Sequence, residues 1–298
     1  MTADLTGLRV LHVVQKFSSG VGSAIAQYTR SLPEVEHHLL SGTPVDGEGD
    51  LAEQADFRST FEMAGTHRAK VQRVRAVVRA LRPDVVHAHS SHGGVYARLA
   101  VARSGHHLVY TPHCYAFERR DVPAPVRGGF WAAEALLAVN TSAFAACAPR
   151  EWQLSRWPTR RAPRYLVPNI APEATACRPD HTPGAPLVAG GGRLSAQKDP
   201  EFFLQFVRRL RAELPGLRGV WLGEGDRAQR EILVAGGVEV TGWLPRGEAM
   251  ALLSAADLYV HSARWEGFPL MVAEAAALRV PTLVRRLPCF ADVPAELT

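Results

Sequence analysis

Lysine is nearly absent from this chain. Of its 34 basic residues only Lys16, Lys70 and Lys198 are lysines, so the formal net charge of +5 is an arginine charge spread along the whole sequence. No block of like charges, aromatic RNA-binding motif or recognition-helix signature accompanies it, which excludes nucleic acid as the expected partner. Cysteine is equally sparse. Cys114, Cys147, Cys177 and Cys289 are scattered without a Cys-x-x-Cys pair. That excludes a disulfide scaffold or zinc finger and points to a reducing, cytoplasmic compartment. No run approaches the ~18–20 uninterrupted apolar residues of a membrane helix, and the first residues lack the basic and apolar regions of a signal peptide.

What the 298 residues do carry is rhythm. Residues 8–14 form a buried-strand run, residues 18–23 a Gly/Ser loop, and residues 24–32 a helical stretch. Helices are expected at 67–81, 94–103, 130–140 and 150–157, with strands at 84–89, 107–111, 143–147 and 164–167. Short apolar strands alternating with helices predict an α/β fold of doubly wound parallel sheets. Between Pro168 and Pro186 the periodicity vanishes among prolines and small residues. The expected organisation is therefore a first domain over 1–168, a Pro-rich linker over 169–185 and a second domain over 186–298, with a cleft between the two. In the second, Asp199 and Pro200 mark a helix start, as N-cap and first helical residue.

Ligands of such sheets bind outside the carboxyl ends of the strands, so the loops hold the candidate residues. Gly190-Gly-Gly-Arg-Leu-Ser-Ala-Gln-Lys198 combines three glycines, where a ligand can approach the backbone, with the cations Arg193 and Lys198. Glycines plus cations suit a diphosphate. Further on, Glu266 and Glu274 lie eight residues apart, the first in a loop and the second inside a helix opening near Pro269. Roughly 10 Å of extended chain and 7.5 Å of helix separate them, too far for the ~5 Å carboxyl pair of a retaining hydrolase. The span suits two hydroxyl-bearing groups on either side of a diphosphate.

These segments, with Thr241-Gly-Trp243-Leu244-Pro245 and Ala256-Asp-Leu-Tyr-Val-His-Ser262, resemble the donor domain of a GT-B glycosyltransferase, in particular the large retaining family called family 4. The first domain is similar through Gly20-Val21-Gly22-Ser23, Pro83-Asp-Val-Val-His-Ala-His89 and Tyr110-Thr-Pro-His113. The resemblance implies a retaining transferase with two Rossmann-like domains. A nucleoside-diphosphate sugar, most commonly a UDP-sugar, is the donor; no cofactor or metal is required, and the acceptor is a small molecule, glycan or lipid. It implies that Arg193 and Lys198 hold the diphosphate, Glu266 the sugar and Glu274 the ribose. Gly20 and Gly22 then face the distal phosphate and His113 the anomeric centre. Val21, Gly192, Trp243, Leu244, Gly267, Phe268, Pro269 and Leu270 complete the donor pocket. The absence of an Asp-x-Asp pair agrees with metal independence. Two departures are expected to matter. Arg279 stands where the family has a small residue, and the family continues past the position of Thr298, which makes the second domain incomplete.

Other readings stay open beside this one. A sugar-nucleotide epimerase would share the fold and donor pocket, and a non-catalytic, nucleotide-sugar-binding partner subunit would keep the fold without turnover. His87, His89 and His92 have a metal-like spacing but no carboxylate or cysteine near them, so no metal site is expected. Gly20-Val-Gly22 is not a dinucleotide fingerprint, because Ile25 stands where Gly or Ala is needed. The arginines of helix 67–81 could touch an anionic membrane, but a solvated outer helix is the favoured reading. Residues 43–66 and 116–129 are the expected acceptor-selecting loops.

Overall fold

The computed structural model describes residues 4–42, 55–101, 105–170 and 185–291. The chain falls into two compact units, Met1–Asn169 and Ile170–Thr298. Most of the proline-rich segment (171–184), half of the first expected acceptor loop (43–54) and residues 292–298 lie outside the described residues.

The first unit is built on strands β1 (Arg9–Val14), β2 (Glu36–Ser41), β3 (Ser59–Glu62), β4 (Val85–His89), β5 (His107–Thr111), β6 (Ala143–Ala146) and β7 (Arg164–Leu166). They pair in parallel in the order β3-β2-β1-β4-β5-β6-β7. Helices α1 (Ser19–Ser31), α2 (His67–Leu81), α3 (Ser90–Ala100), α4 (Ala124–Leu137) and α5 (Pro149–Leu154) connect them. The order doubles back at β1, which lies between β2 and β4. The carboxyl ends of β1 and β4 therefore flank the switch point where ligands of such sheets bind.

Two differences from the expected elements have clear physical reasons. The Gly/Ser loop expected at 18–23 is instead the first turn of α1, and the Gly22 amide donates to the Ser18 carbonyl at 3.1 Å. Ile25 of that helix is buried with Val14, Phe17 and Leu39, and this packing outweighs the poor intrinsic helix propensity of two glycines. Strand β2 escapes a periodicity search because His37 and His38 read as polar, yet both are buried. Helix α2 spans the expected residues and buries Val74, Val77 and Val78. Its Arg75 turns onto the carboxyl end of α3, donating to the carbonyls of Leu99 and Ala100 at 3.3 Å each. No helix among the described residues is long and apolar enough to cross a membrane.

The second unit repeats the plan with β8 (Leu187–Gly191), β9 (Arg218–Leu222), β10 (Glu239–Val240), β11 (Leu258–His261) and β12 (Thr282–Val284). The parallel order is β10-β9-β8-β11-β12, and the switch point is between β8 and β11. Its helices are α6 (Pro200–Glu213), α7 (Arg227–Ala235), α8 (Arg246–Ser254) and α9 (Leu270–Ala277). Asp199 caps α6 through the Phe202 amide, with Pro200 in the first turn. The turn after α9 is built on Arg279. That residue adopts a left-handed φ of 57° while its amide donates to the Ala276 carbonyl at 3.0 Å.

Candidate functional site

In the second unit, the loops leaving β8 and β11 meet at the switch point. Ser262 donates to the Lys198 carbonyl at 2.6 Å, and the Arg264 amide to the Gln197 carbonyl at 2.8 Å. This lacing brings together side chains 68 residues apart in sequence: Lys198 Nζ forms an ion pair with Glu266 Oε1. Gln197 Nε2 donates to the Trp265 carbonyl at 3.1 Å and reaches Glu266 Oε2 at 3.4 Å. The Glu266 side chain is only 8% exposed, so its charge needs these partners.

The glycines behave differently from one another. Gly190 and Gly191 belong to β8, and a Cβ on either would collide with Phe203 or Met271. Packing alone accounts for a glycine at these two positions. Gly192 makes the turn, with φ 116°, and the aliphatic stem of Lys198 packs where its Cβ would be. Arg193 follows it, half-buried, with its carbonyl accepting from Ser195 at 3.1 Å.

Glu274 sits in α9 in a separate ion pair: Arg246 Nη2 lies 2.9 Å from its Oε1, and the carboxylate side chain is 7% exposed. Trp243 and Leu244, both half-buried, immediately precede the helix that carries Arg246. Gly267 and Pro269 are buried, while Phe268 and Leu270 are half-buried at the start of α9. The structure adds His261, a residue the sequence reading overlooked. It is buried at the end of β11 with Nε2 3.7 Å from Glu266 Oε1. Burial first, and the Lys198 charge second, push its pKa down to about 3, so it meets Glu266 as a neutral ring. Arg285 was missed too. It reaches Asp199 at 2.6 Å and the Ser262 carbonyl at 2.9 Å, bracing both loops.

In the first unit, helix geometry sets the amides of Gly20, Val21 and Gly22 apart from one another. Gly22 N–H is spent inside α1, whereas the amides of Gly20 and Val21, in the first turn of the helix, have no intrahelical acceptor. The Val21 side chain packs on the apolar cluster beneath α1. His113 and Cys114 follow β5 with left-handed φ values of 53° and 94°. The buried carboxylate of Glu151 secures this turn, accepting the amides of Cys114 and Cys147 at 2.8 Å each. His113 Nε2 in turn lies 3.1 Å from His89 Nδ1. The histidines are not grouped as their spacing suggested. His92 stacks on His67 at 6.0 Å, while His12 joins His87 and His89, their nearest ring nitrogens all within 4.8 Å of one another.

Residues 10–169 match the family described as "Glycosyl transferase 4-like domain", and residues 185–296 the one described as "Glycosyl transferases group 1". The "uncharacterized 41.2 kDa protein in cps region" of Klebsiella pneumoniae is 20% identical over 301 residues, 96% of this chain and 83% of that protein. Among solved structures, Anabaena HepE in complex with UDP and glucose superposes with a TM-score of 0.74 at 14% identity, covering 96% of this chain and 83% of that one. Sucrose-phosphate synthase from Thermosynechococcus elongatus gives 0.74 at 15% identity with the same coverage. Likeness at this identity establishes the fold, the GT-B pairing of two parallel sheets.

Proposed function

Because the chain belongs to the group 1 and 4-like glycosyl transferases, we propose that it transfers a sugar from a nucleoside-diphosphate donor, most simply a UDP-sugar, to a hydroxyl acceptor with retention and without a metal. The observation that carries this reading is the Lys198–Glu266 pair at the β8/β11 switch point. A cation and a carboxylate held side by side can divide a sugar nucleotide between them. Lys198 and Arg193 take the diphosphate, Glu266 a sugar hydroxyl, and Glu274 the ribose. The Gly20 and Val21 amides are assigned to the distal phosphate and His113 to the sugar end. UDP bound to the Anabaena protein of the same fold supports the choice of base.

In the proposed reaction the bond from the anomeric carbon to the phosphate oxygen breaks, and its electron pair leaves with the diphosphate. Lys198 and Arg193 neutralise that developing charge, the task a divalent ion performs elsewhere. The acceptor oxygen bonds to the anomeric carbon on the same face, and its proton passes to a departing phosphate oxygen. Glu266 is already engaged by Lys198 and Gln197, so its role is hydroxyl recognition rather than covalent attack. Incubating the chain with UDP-sugars, with and without acceptors, tests the reading by product analysis. Epimerised donor formed without any acceptor would select the epimerase instead.

The two glutamates should separate cleanly. Glu274→Ala is expected to weaken UDP and UDP-sugar alike, about ten- to a hundredfold, the range of a charged hydrogen bond. Glu266→Ala should leave UDP affinity unchanged or slightly tighter, since Lys198 is released toward phosphate, while turnover falls. Calorimetric titration of both variants with UDP checks this, and equal losses would refute the assignment.

A further inference from the structure

The sheet face beneath α1 is paved with imidazoles. His12 of β1 lies in register with His87 of β4, and Val14 with His89. His37 of β2 is in register with Val10, two residues before His12 on the same face. Four of these rings form an unbroken hydrogen-bonded chain. His113 Nε2 meets His89 Nδ1 at 3.1 Å, His89 Nε2 meets His12 Nδ1 at 3.0 Å, and His12 Nε2 meets His37 Nδ1 at 3.0 Å. The chain ends where His37 Nε2 meets the Leu32 carbonyl at 3.1 Å. Ring centroids step at 5.4, 5.3 and 5.2 Å along it.

The direction of every bond follows from that last contact. A carbonyl can only accept, so His37 carries its proton on Nε2 and offers a lone pair at Nδ1. His12 must then donate from Nε2, and the same logic passes through His89 to His113. Each ring has one proton because all four are neutral near pH 7. Burial lowers the pKa values of His12, His37, His89 and His113, and the neighbouring rings push His12 and His89 further down. Reversing the chain would set a ring lone pair against the Leu32 carbonyl and strand a buried acceptor, which disfavours the reversed form by roughly tenfold or more.

We propose that this imidazole chain, anchored on the Leu32 carbonyl, fixes His113 as its Nε2–H tautomer and so presents Nδ1 as a lone-pair acceptor for a substrate hydroxyl. His12, His37 and His89 are then positioning residues acting through His113. Among the described residues nothing hydrogen-bonds to His113 Nδ1, consistent with its being kept for a ligand. The same bonds argue against a metal on His12, His87 and His89, because both nitrogens of His12 and His89 are committed. His87 stands beside the chain, its Nε2 engaged at 2.8 Å with the Thr111 hydroxyl.

The tautomer assignment is independent of the transferase reading; the substrate-hydroxyl role rests on it. Long-range proton–nitrogen correlation spectra of the ¹⁵N-labelled full chain, with no nucleotide or acceptor, should show His12, His37, His89 and His113 as neutral Nε2–H rings, unchanged by EDTA. An Nδ1–H tautomer at His113, a charged ring in the chain, or spectra that change on metal removal would overturn the proposal. His37→Leu removes the anchor and should shift His113 toward a mixture of tautomers. Turnover should then fall about tenfold with UDP affinity unchanged. His37→Asn keeps an acceptor where Nδ1 stood and should restore both. Wild-type turnover in His37→Leu with a mixed His113 tautomer would overturn the role in the reaction. Absence of sugar transfer by the wild-type chain, with the tautomers as stated, would instead refute the transferase reading alone.

Discussion

Acidification from pH 7.5 to 5.5 is expected to cost the first unit about 4 kcal/mol through His12, His87 and His89 alone, roughly 1.4 kcal/mol for each, with His113 adding to the loss. His12, His87 and His89 are buried, and desolvation is the leading cause that lowers each pKa, to about 3 for His87. Unfolded, each ring titrates near ~6.5. Below that value the unfolded chain binds protons that the folded chain refuses. The stabilisation is therefore complete above the unfolded pKa and drains away as the pH falls. Burial raises the pKa values of Glu118 and Glu151 in the same unit, and their proton uptake in the fold offsets part of this loss. Urea midpoints measured at the two pH values report the change. A flat profile would mean that the rings already carry protons in the fold, contradicting their burial as neutral groups.

Replacing Lys198 by alanine should reduce turnover by about 100- to 1,000-fold, the usual cost of deleting one charge-stabilising group from a transition state. The effect on UDP affinity should be smaller, because the diphosphate charge grows as the sugar departs. The variant also strands the 8%-exposed Glu266 carboxylate, which threatens stability on its own account. The double variant Lys198→Ala/Glu266→Gln removes that complication and should regain stability without regaining turnover. Activity within tenfold of wild type in either variant would remove Lys198 from the proposed reaction.

How far these groups could be read from sequence varies with how local their cause is. Asp199 and Pro200 announce α6 because capping chemistry lies within a few residues. The strand runs 107–111 and 258–261 are apolar enough to stand out alone. Lys198 and Glu266 stand out in the sequence as candidate ligand-binding residues through the glycines and motifs around them. Their ion pair was not, since it depends on β8 and β11 being neighbours in the sheet. Arg98 shows the same limit. Its guanidinium is wholly buried, 2.8 Å from Glu134 and stacked 4.0 Å over Tyr110, an arrangement that no spacing within α3 or α4 reveals. The histidine chain was hidden for the opposite reason. His12 and His37 interrupt apolar strands and look like defects in the pattern until the register of three strands lines them up. Helix α1 misled through propensity, since Gly20 and Gly22 read as loop while the packing of Ile25 extends the helix over them.

The central claim is that the second unit's switch-point loops hold a nucleoside diphosphate through side-chain cations and carboxylates. Calorimetric titration of the wild-type chain with UDP in the presence of EDTA tests it most directly. The account predicts saturable one-to-one binding that survives the chelator and is weakened by Glu274→Ala. No heat of binding, or binding that returns only when Mg²⁺ or Mn²⁺ is supplied, would contradict it.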